Sequence, residues 1–182
     1  MFDIRKTQER VLFDAISNRS DLKTAEEIVY GYDGLARDES NPTWVKSTMH
    51  RLENKFDFNT IKQIRMDCQC GYGMEQKLTL LQKLKSSASN LEDFVHSDEA
   101  KKAGLFCREG ELYLQFFFCP CPMLADVDQL ESKTWCQCTT GYSKVLFEKA
   151  FGCDVDVNLL KSIKSGDDIC LMKIIPNGLS WE

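Results

Sequence analysis

The residues best equipped for chemistry are cysteines. Nine occur in 182 residues, and six of these form Cys-x-Cys pairs at Cys68/Cys70, Cys119/Cys121 and Cys136/Cys138. In an extended segment, residues i and i+2 point to the same face, so both sulfurs of such a pair can reach one ion. Two pairs brought together give four thiolates, the donor set of zinc or, as a lesser alternative, of an iron–sulfur cluster. Cys119-Pro120-Cys121-Pro122 ends the most apolar run of the chain, and fourteen residues separate Cys121 from Cys136. The metal ligands expected on this pattern are therefore Cys119, Cys121, Cys136 and Cys138. Cys68 and Cys70 are extra ligands or a second site. Cys107 and Cys153 read as small buried residues, since free cysteine packs as a hydrophobe.

Two further chemistries fit the same sulfurs. A helix N-terminus lowers the pKa of a thiol, which makes Cys138 the candidate nucleophile of a hydrolase, with metal-bound water as the other attacking species. A proton-transfer partner is then needed, and His50 and His96 both lie far from the cysteines in sequence. Alternatively a Cys-x-Cys pair closes a strained, labile disulfide, as in a thiol-redox protein. Against that stand the stiff Pro120 and the lack of a thioredoxin-like βαβ context. No phosphate-binding glycine loop, serine nucleophile elbow or His-Glu-x-x-His motif occurs.

The elements that must position these residues read as α+β. Val11, Leu12, Ala15 and Ile16 fall at helical spacing over residues 5–17, and a second helix runs through Ala25, Ile28 and Val29 to a stop near Gly31. Pro42 starts a longer helix through Val45, Met49, Leu52, Phe56 and Ile61. Further helices pass through Leu78, Leu81 and Leu84 and from Asn90 to Val95. After Gly104 the period changes: Leu105-Phe106-Cys107 and Leu112 to Phe118 form a hairpin, the second strand apolar enough for burial on both faces. A helix from about Thr139 to Phe151 follows. A second hairpin then pairs Val155–Ile163 with Ile169–Ile175 across Ser165-Gly166-Asp167-Asp168. The expectation is one domain over 1–182, made of a helical part (1–102), a ββαββ part (103–176) and a tail (177–182). Its four-stranded sheet is mainly antiparallel, with helices on one side.

Composition narrows the partners. A net charge of -5 argues against phosphate-backbone binding, so no nucleic acid is expected. The longest apolar stretch, Leu112 to Ala125, is too short and too interrupted for membrane insertion. Met1 to Lys6 lacks the apolar core of a signal peptide, and clustered thiols suit a reducing compartment, so a cytoplasmic protein is expected. A homodimer through an edge strand or an exposed patch is compatible with the pattern and not fixed by it.

The segment Gly141-Tyr142 … Phe151-Gly152 … Leu159-Leu160-Lys161-Ser162-Ile163 … Ser165-Gly166-Asp167-Asp168-Ile169-Cys170 resembles the end of the 4-vinyl-reductase-type small-molecule-binding domains, whose fold is shared with TRAPP vesicle-tethering subunits and NO-signalling-like domains. It also resembles a cysteine-rich bacterial family related to L-2-amino-thiazoline-4-carboxylic acid hydrolase-like proteins. The resemblance covers about residues 117 to 175. It implies a ligand pocket between helices and sheet, here walled by Phe116, Phe118 and Tyr142, for an apolar or sulfur-containing small molecule. Some relatives bind zinc through Glu-x2-Cys-x7-Cys on the last hairpin. Counted back from Cys170, those positions hold Leu159 and Ser162, so that ligand set is incomplete here. The leading expectation is thus a small-molecule sensor or carrier with a cysteine metal site. A small-molecule hydrolase comes second and a thiol-redox protein third.

Overall fold

A computed structural model describes residues 2–181 and shows an α+β protein. Among the described residues there are eight α-helices and one antiparallel four-stranded sheet. The chain divides into two compact units, neither continuous in sequence. The first is built from the chain through Cys70, Cys119–Gly141 and Lys164–Gly166; the second from Gly71–Phe118, Tyr142–Ile163 and the chain from Asp167 onward. The helical and ββαββ parts read from the sequence therefore do not coincide with the packed units.

The first unit contains α1 (Ile4–Ser17), α2 (Leu22–Tyr30), α3 (Asn41–Lys55), α4 (Phe58–Asp67) and the opening turn of α8 (Gln137–Phe151). Asp3, Asp21, Ser40 and Asp57 cap the first four, each side chain accepting a hydrogen bond from the backbone N–H three residues on. Asp57 corrects the single long helix expected after Pro42. Apolar spacing carries on through Phe56 to Ile61, but the Asp57 carboxylate takes the Thr60 N–H and hydroxyl and starts a new helix. Leu12, Ile16, Leu52, Ile64, Met123 and Leu124 are fully buried in this unit, as are two indoles, Trp44 and Trp135. The rings meet edge to face at 5.7 Å, and Trp44 Nε1 donates to the Val29 carbonyl at 2.8 Å.

The second unit holds α5 (Met74–Ser86), α6 (Leu91–His96), α7 (Asp98–Lys102), β1 (Leu105–Arg108), β2 (Glu111–Phe116), the rest of α8, β3 (Asp154–Lys161) and β4 (Cys170–Asn177). Strand order is β1-β2-β4-β3, all antiparallel. Glu109 and Gly110, both with positive φ, close the first hairpin. Val155 and Val157 are buried between exposed Asp154, Asp156 and Asn158, as their alternation predicts. Leu105, Leu112, Leu114, Met172 and Ile174 pack with Phe94, Leu146, Phe147 and Phe151 in one core. The expectation of a strand buried on both faces as far as Phe118 is corrected. Pairing stops at Phe116 opposite Cys170, and Phe117 and Phe118 are 77% and 65% exposed. Among the described residues no helix is long and apolar enough to cross a membrane.

Candidate functional site

Three stretches of the first unit supply the chemistry: the end of α4, the Cys119–Pro122 loop and the first turn of α8. The sequence places the start of α8 at Thr139; it begins two residues earlier, at Gln137, so Cys138 lies inside the first turn. There the peptide dipoles favour a thiolate. Gly141, one turn on, permits a very close approach to α4: a Cβ at this position would lie 1.8 Å from the Met66 carbonyl oxygen. Only hydrogen fits there. Pro122 opens a short 3₁₀ turn, Pro122–Leu124, which fixes the backbone just past Cys121.

The outcome is a thiol–thiolate pair beside a buried cation. Cys138 is 7% exposed, and hydrogen bonding to the Cys121 side chain is the largest influence on it. That bond, together with the charge of Arg65, brings Cys138 down to about 6 against the upward push of burial. Cys121 is raised well above the ordinary thiol value, first by that same bond and then by burial. The two thiols titrate as a pair, with Cys138 moved down and Cys121 moved up.

Arg65 is fully buried. Its Nε and Nη2 donate to the Trp135 carbonyl at 3.3 and 3.2 Å, Nη2 also reaches Gln8 Oε1 at 3.4 Å, and the guanidinium lies 3.8 Å from the centre of the Trp135 ring. The titratable groups that act on it are the sulfurs of Cys68, Cys138 and Cys121. Nη1 is buried without a hydrogen bond of standard geometry among the described residues, and the Cys138 sulfur acts on the guanidinium as an acceptor. Cys68 is of another kind: burial pushes its thiol up to about 12, and it donates to the Ile64 carbonyl at 3.1 Å.

Of the four expected metal ligands, the structure joins Cys121 with Cys138. Cys119 is half-buried and acts on Cys121 through its charge; Cys136 is buried one residue ahead of α8. The same-face rule for i and i+2 belongs to extended chain, whereas residues two apart on a helix stand about 200° apart around its axis. The early start of α8 thus removes that rule from Cys136 and Cys138. Among the described residues no group of three or more His, Cys, Asp or Glu side chains is placed to hold a metal ion. Cys107, Cys153 and Cys170 belong to the second unit, where Cys170 Sγ accepts from the Ile163 N–H at 3.5 Å.

The aromatic residues expected to wall a pocket are also in the second unit. Phe116 is half-buried at the end of β2, Phe118 is exposed with its ring 5.9 Å from that of Phe116, and the Tyr142 hydroxyl donates to the Tyr72 carbonyl at 2.9 Å. None of them lines the cavity of ≈ 420 Å³ in the first unit, whose walls include Lys46, His50, Glu53, Leu130, Glu131 and Trp135. Arg65 is the site residue that sequence reasoning missed. A signal existed: Ile61, Ile64, Arg65 and Cys68 form one i, i+3, i+4, i+7 stripe, and a charge on an apolar stripe needs a partner.

A family model described as "Family of unknown function (DUF6144)" matches residues 1–181. No curated protein and no solved structure matches the chain.

Proposed function

We propose that this chain, which belongs to the DUF6144 family, is a thiol-redox protein whose working couple is Cys121 and Cys138. One feature carries the reading: two thiols that push each other's titration in opposite directions stand with a buried arginine. That is the arrangement from which a disulfide forms and to which it returns.

The two sulfurs have different parts. In the oxidised protein an external thiolate attacks the sulfur of Cys121, the more exposed of the pair. The S–S bond breaks, and its electron pair stays on Cys138, which leaves as a thiolate next to Arg65. A second external thiol releases Cys121, which takes up a proton. A leaving sulfur of low pKa leaves faster, and a couple whose reduced form is stabilised is the more oxidising. Cys138 at about 6 serves both effects.

The test is equilibration of the full chain in glutathione redox buffers, with acid quenching, alkylation and peptide mapping. A Cys121–Cys138 disulfide should accumulate in the wild type and vanish in Cys138→Ser. Oxidation that joins other cysteines and spares this pair would overturn the proposal.

A second reading, a small-molecule sensor or carrier, is favoured by the ≈ 420 Å³ cavity. Its metal-bearing form needs Cys119 and Cys136 as third and fourth donors. Metal analysis of protein purified without chelating tags decides that form: one zinc per chain, lost together with Cys138 protection on chelation, would replace the redox couple by a tetrathiolate.

A further inference from the structure

We infer that the ≈ 420 Å³ cavity of the first unit binds a short peptide with both termini free, about three residues long, its carboxylate toward Lys46 and its ammonium toward Glu53 and Glu131. The inference does not rest on the cysteine couple; it gives the cavity of the second reading a ligand class. Three observations carry it.

The first is the build of the cavity. Lys46, Met49, His50 and Glu53 line it from one face of α3, at the i, i+3, i+4, i+7 spacing of a helical stripe. The loop at 129–132 and Trp135 supply the rest. That loop is held in place: the Leu130 N–H donates to the Lys164 carbonyl at 2.6 Å, and the Ser132 hydroxyl donates to Thr134 Oγ1 at 3.0 Å. Met49, Leu130 and Trp135 are buried, so the deep part of the lining is apolar and the charges stand around it. Preformed small-molecule sites have this composition and volumes of about 300–1,000 Å³.

The second is unpaired charge. Elsewhere on the helices of this unit, opposite charges one turn apart pair off: Arg5 with Glu9, Arg10 with Asp14, Lys23 with Glu27. The side chains of Lys46, His50, Glu53 and Glu131 have no ion-pair or hydrogen-bond partner among the described residues. One ammonium and two carboxylates on one cavity call for a guest that carries both signs. His50, Glu53 and Glu131 do not form a group placed to hold a metal ion, so the positive end of that guest is an organic ammonium.

The third is spacing. Lys46 and Glu53 lie seven residues apart on α3, about 10 Å along the helix axis. A free amino acid carries its ammonium and carboxylate on one carbon and cannot engage both ends. An extended chain advances about 3.3–3.6 Å per residue, so three residues set the two termini at about that separation. An apolar middle side chain suits the buried lining of Met49, Leu130 and Trp135.

The experiment is isothermal titration calorimetry of the full chain, kept in excess reductant, with alanyl-leucyl-alanine, its N-acetylated form, its C-amidated form, free leucine and a diamine. The free tripeptide should bind, and each capped form should bind about two- to fivefold more weakly, the worth of one partly exposed ion pair. Lys46→Met should weaken the free tripeptide by about that factor and leave the amidated form unaffected; Glu53→Gln should likewise weaken the free form and spare the acetylated one. Both side chains are exposed, so both variants keep the fold. The inference is overturned if the tripeptide fails to bind at millimolar concentration, if capped and free forms bind equally, or if leucine or the diamine binds in its place. The cysteines stay reduced throughout, so each of these results leaves the Cys121–Cys138 couple to its own test. Loss of that couple in turn leaves the peptide result standing.

Discussion

Replacing Cys121 by alanine removes the donor that does most to keep Cys138 ionised. Cys138 titrates at about 6 in the fold against an ordinary thiol value of 9.0; the Cys121 hydrogen bond is the largest cause, and burial opposes it. A hydrogen bond to a charged group is worth about 1.5–3 kcal/mol, equivalent to about one to two pH units. The Cys138 midpoint in Cys121→Ala is therefore expected at about 7 to 8. The assay is the pH dependence of Cys138 alkylation by a small haloacetamide, read by peptide mapping so that the other thiols do not interfere. A midpoint that stays at the wild-type value would refute the assignment of Cys121 as the donor.

The same perturbation has a second readout in stability. Between the folded and unfolded midpoints, the unfolded chain holds a thiol proton that the folded chain has released, so the free energy of unfolding rises with pH. This contribution is fully present above about 9 and is lost as the pH falls through about 6; over the whole window it amounts to about 4 kcal/mol. Chemical denaturation of the wild type at several pH values should show that rise. In Cys121→Ala the rise should be smaller by about 1.5–3 kcal/mol. The window must stop near 9, because Cys68, pushed up to about 12, works the other way: its contribution is present below the unfolded value and is lost as the pH rises beyond it.

Gly141→Ala would place a methyl 1.8 Å from the Met66 carbonyl, backbone with no room to give; it should lower stability by at least about 1–3 kcal/mol in denaturant and raise the Cys138 midpoint as α8 backs away from Arg65. Equal stability and an equal midpoint would show that α8 and α4 do not meet at that glycine. Trp44→Phe keeps the ring contact with Trp135 but strands the Val29 carbonyl, at an expected cost of about 1–3 kcal/mol by thermal or chemical unfolding. Phe118→Ser, at a site 65% exposed, should change stability by less than about 0.5 kcal/mol; a larger loss would restore Phe118 as a buried wall.

The parts legible in the sequence were those set by local rules. Val155, Asp156, Val157 and Asn158 alternate, and the chain there is a half-buried strand. Gly110 marked the first hairpin and Gly152 the end of α8. The boundary at Asp57 was readable in principle from the Asp-x-x-Thr that caps α4, but the apolar spacing around it masked the stop. The interleaving of the two packed units was not readable, because it depends on which distant segments meet. For the same reason the sequence named Cys121 and Cys138 among four equals: i, i+2 spacing groups a cysteine with its chain neighbour, while packing groups it across the gap. Arg65 escaped because a single arginine on a helix is ordinary until the helix turns it inward.

Comparison of the two most buried sulfurs near Arg65 explains why a cation alone does not make a thiolate. Arg65 lowers Cys68 as it lowers Cys138, yet burial outweighs it at Cys68 and the thiol rises to about 12. Cys68 has a use for its proton, which it donates to the Ile64 carbonyl. Cys138 differs in its neighbour: hydrogen bonding to Cys121 is the largest influence on it and acts to lower the thiol. A hydrogen bond that needs the proton holds it in place, and one that needs the lone pair drives it off. The pair is therefore polarised by which sulfur donates, and Arg65 enlarges a difference that Cys121 sets. Without Cys121, Cys138 moves toward the state of Cys68.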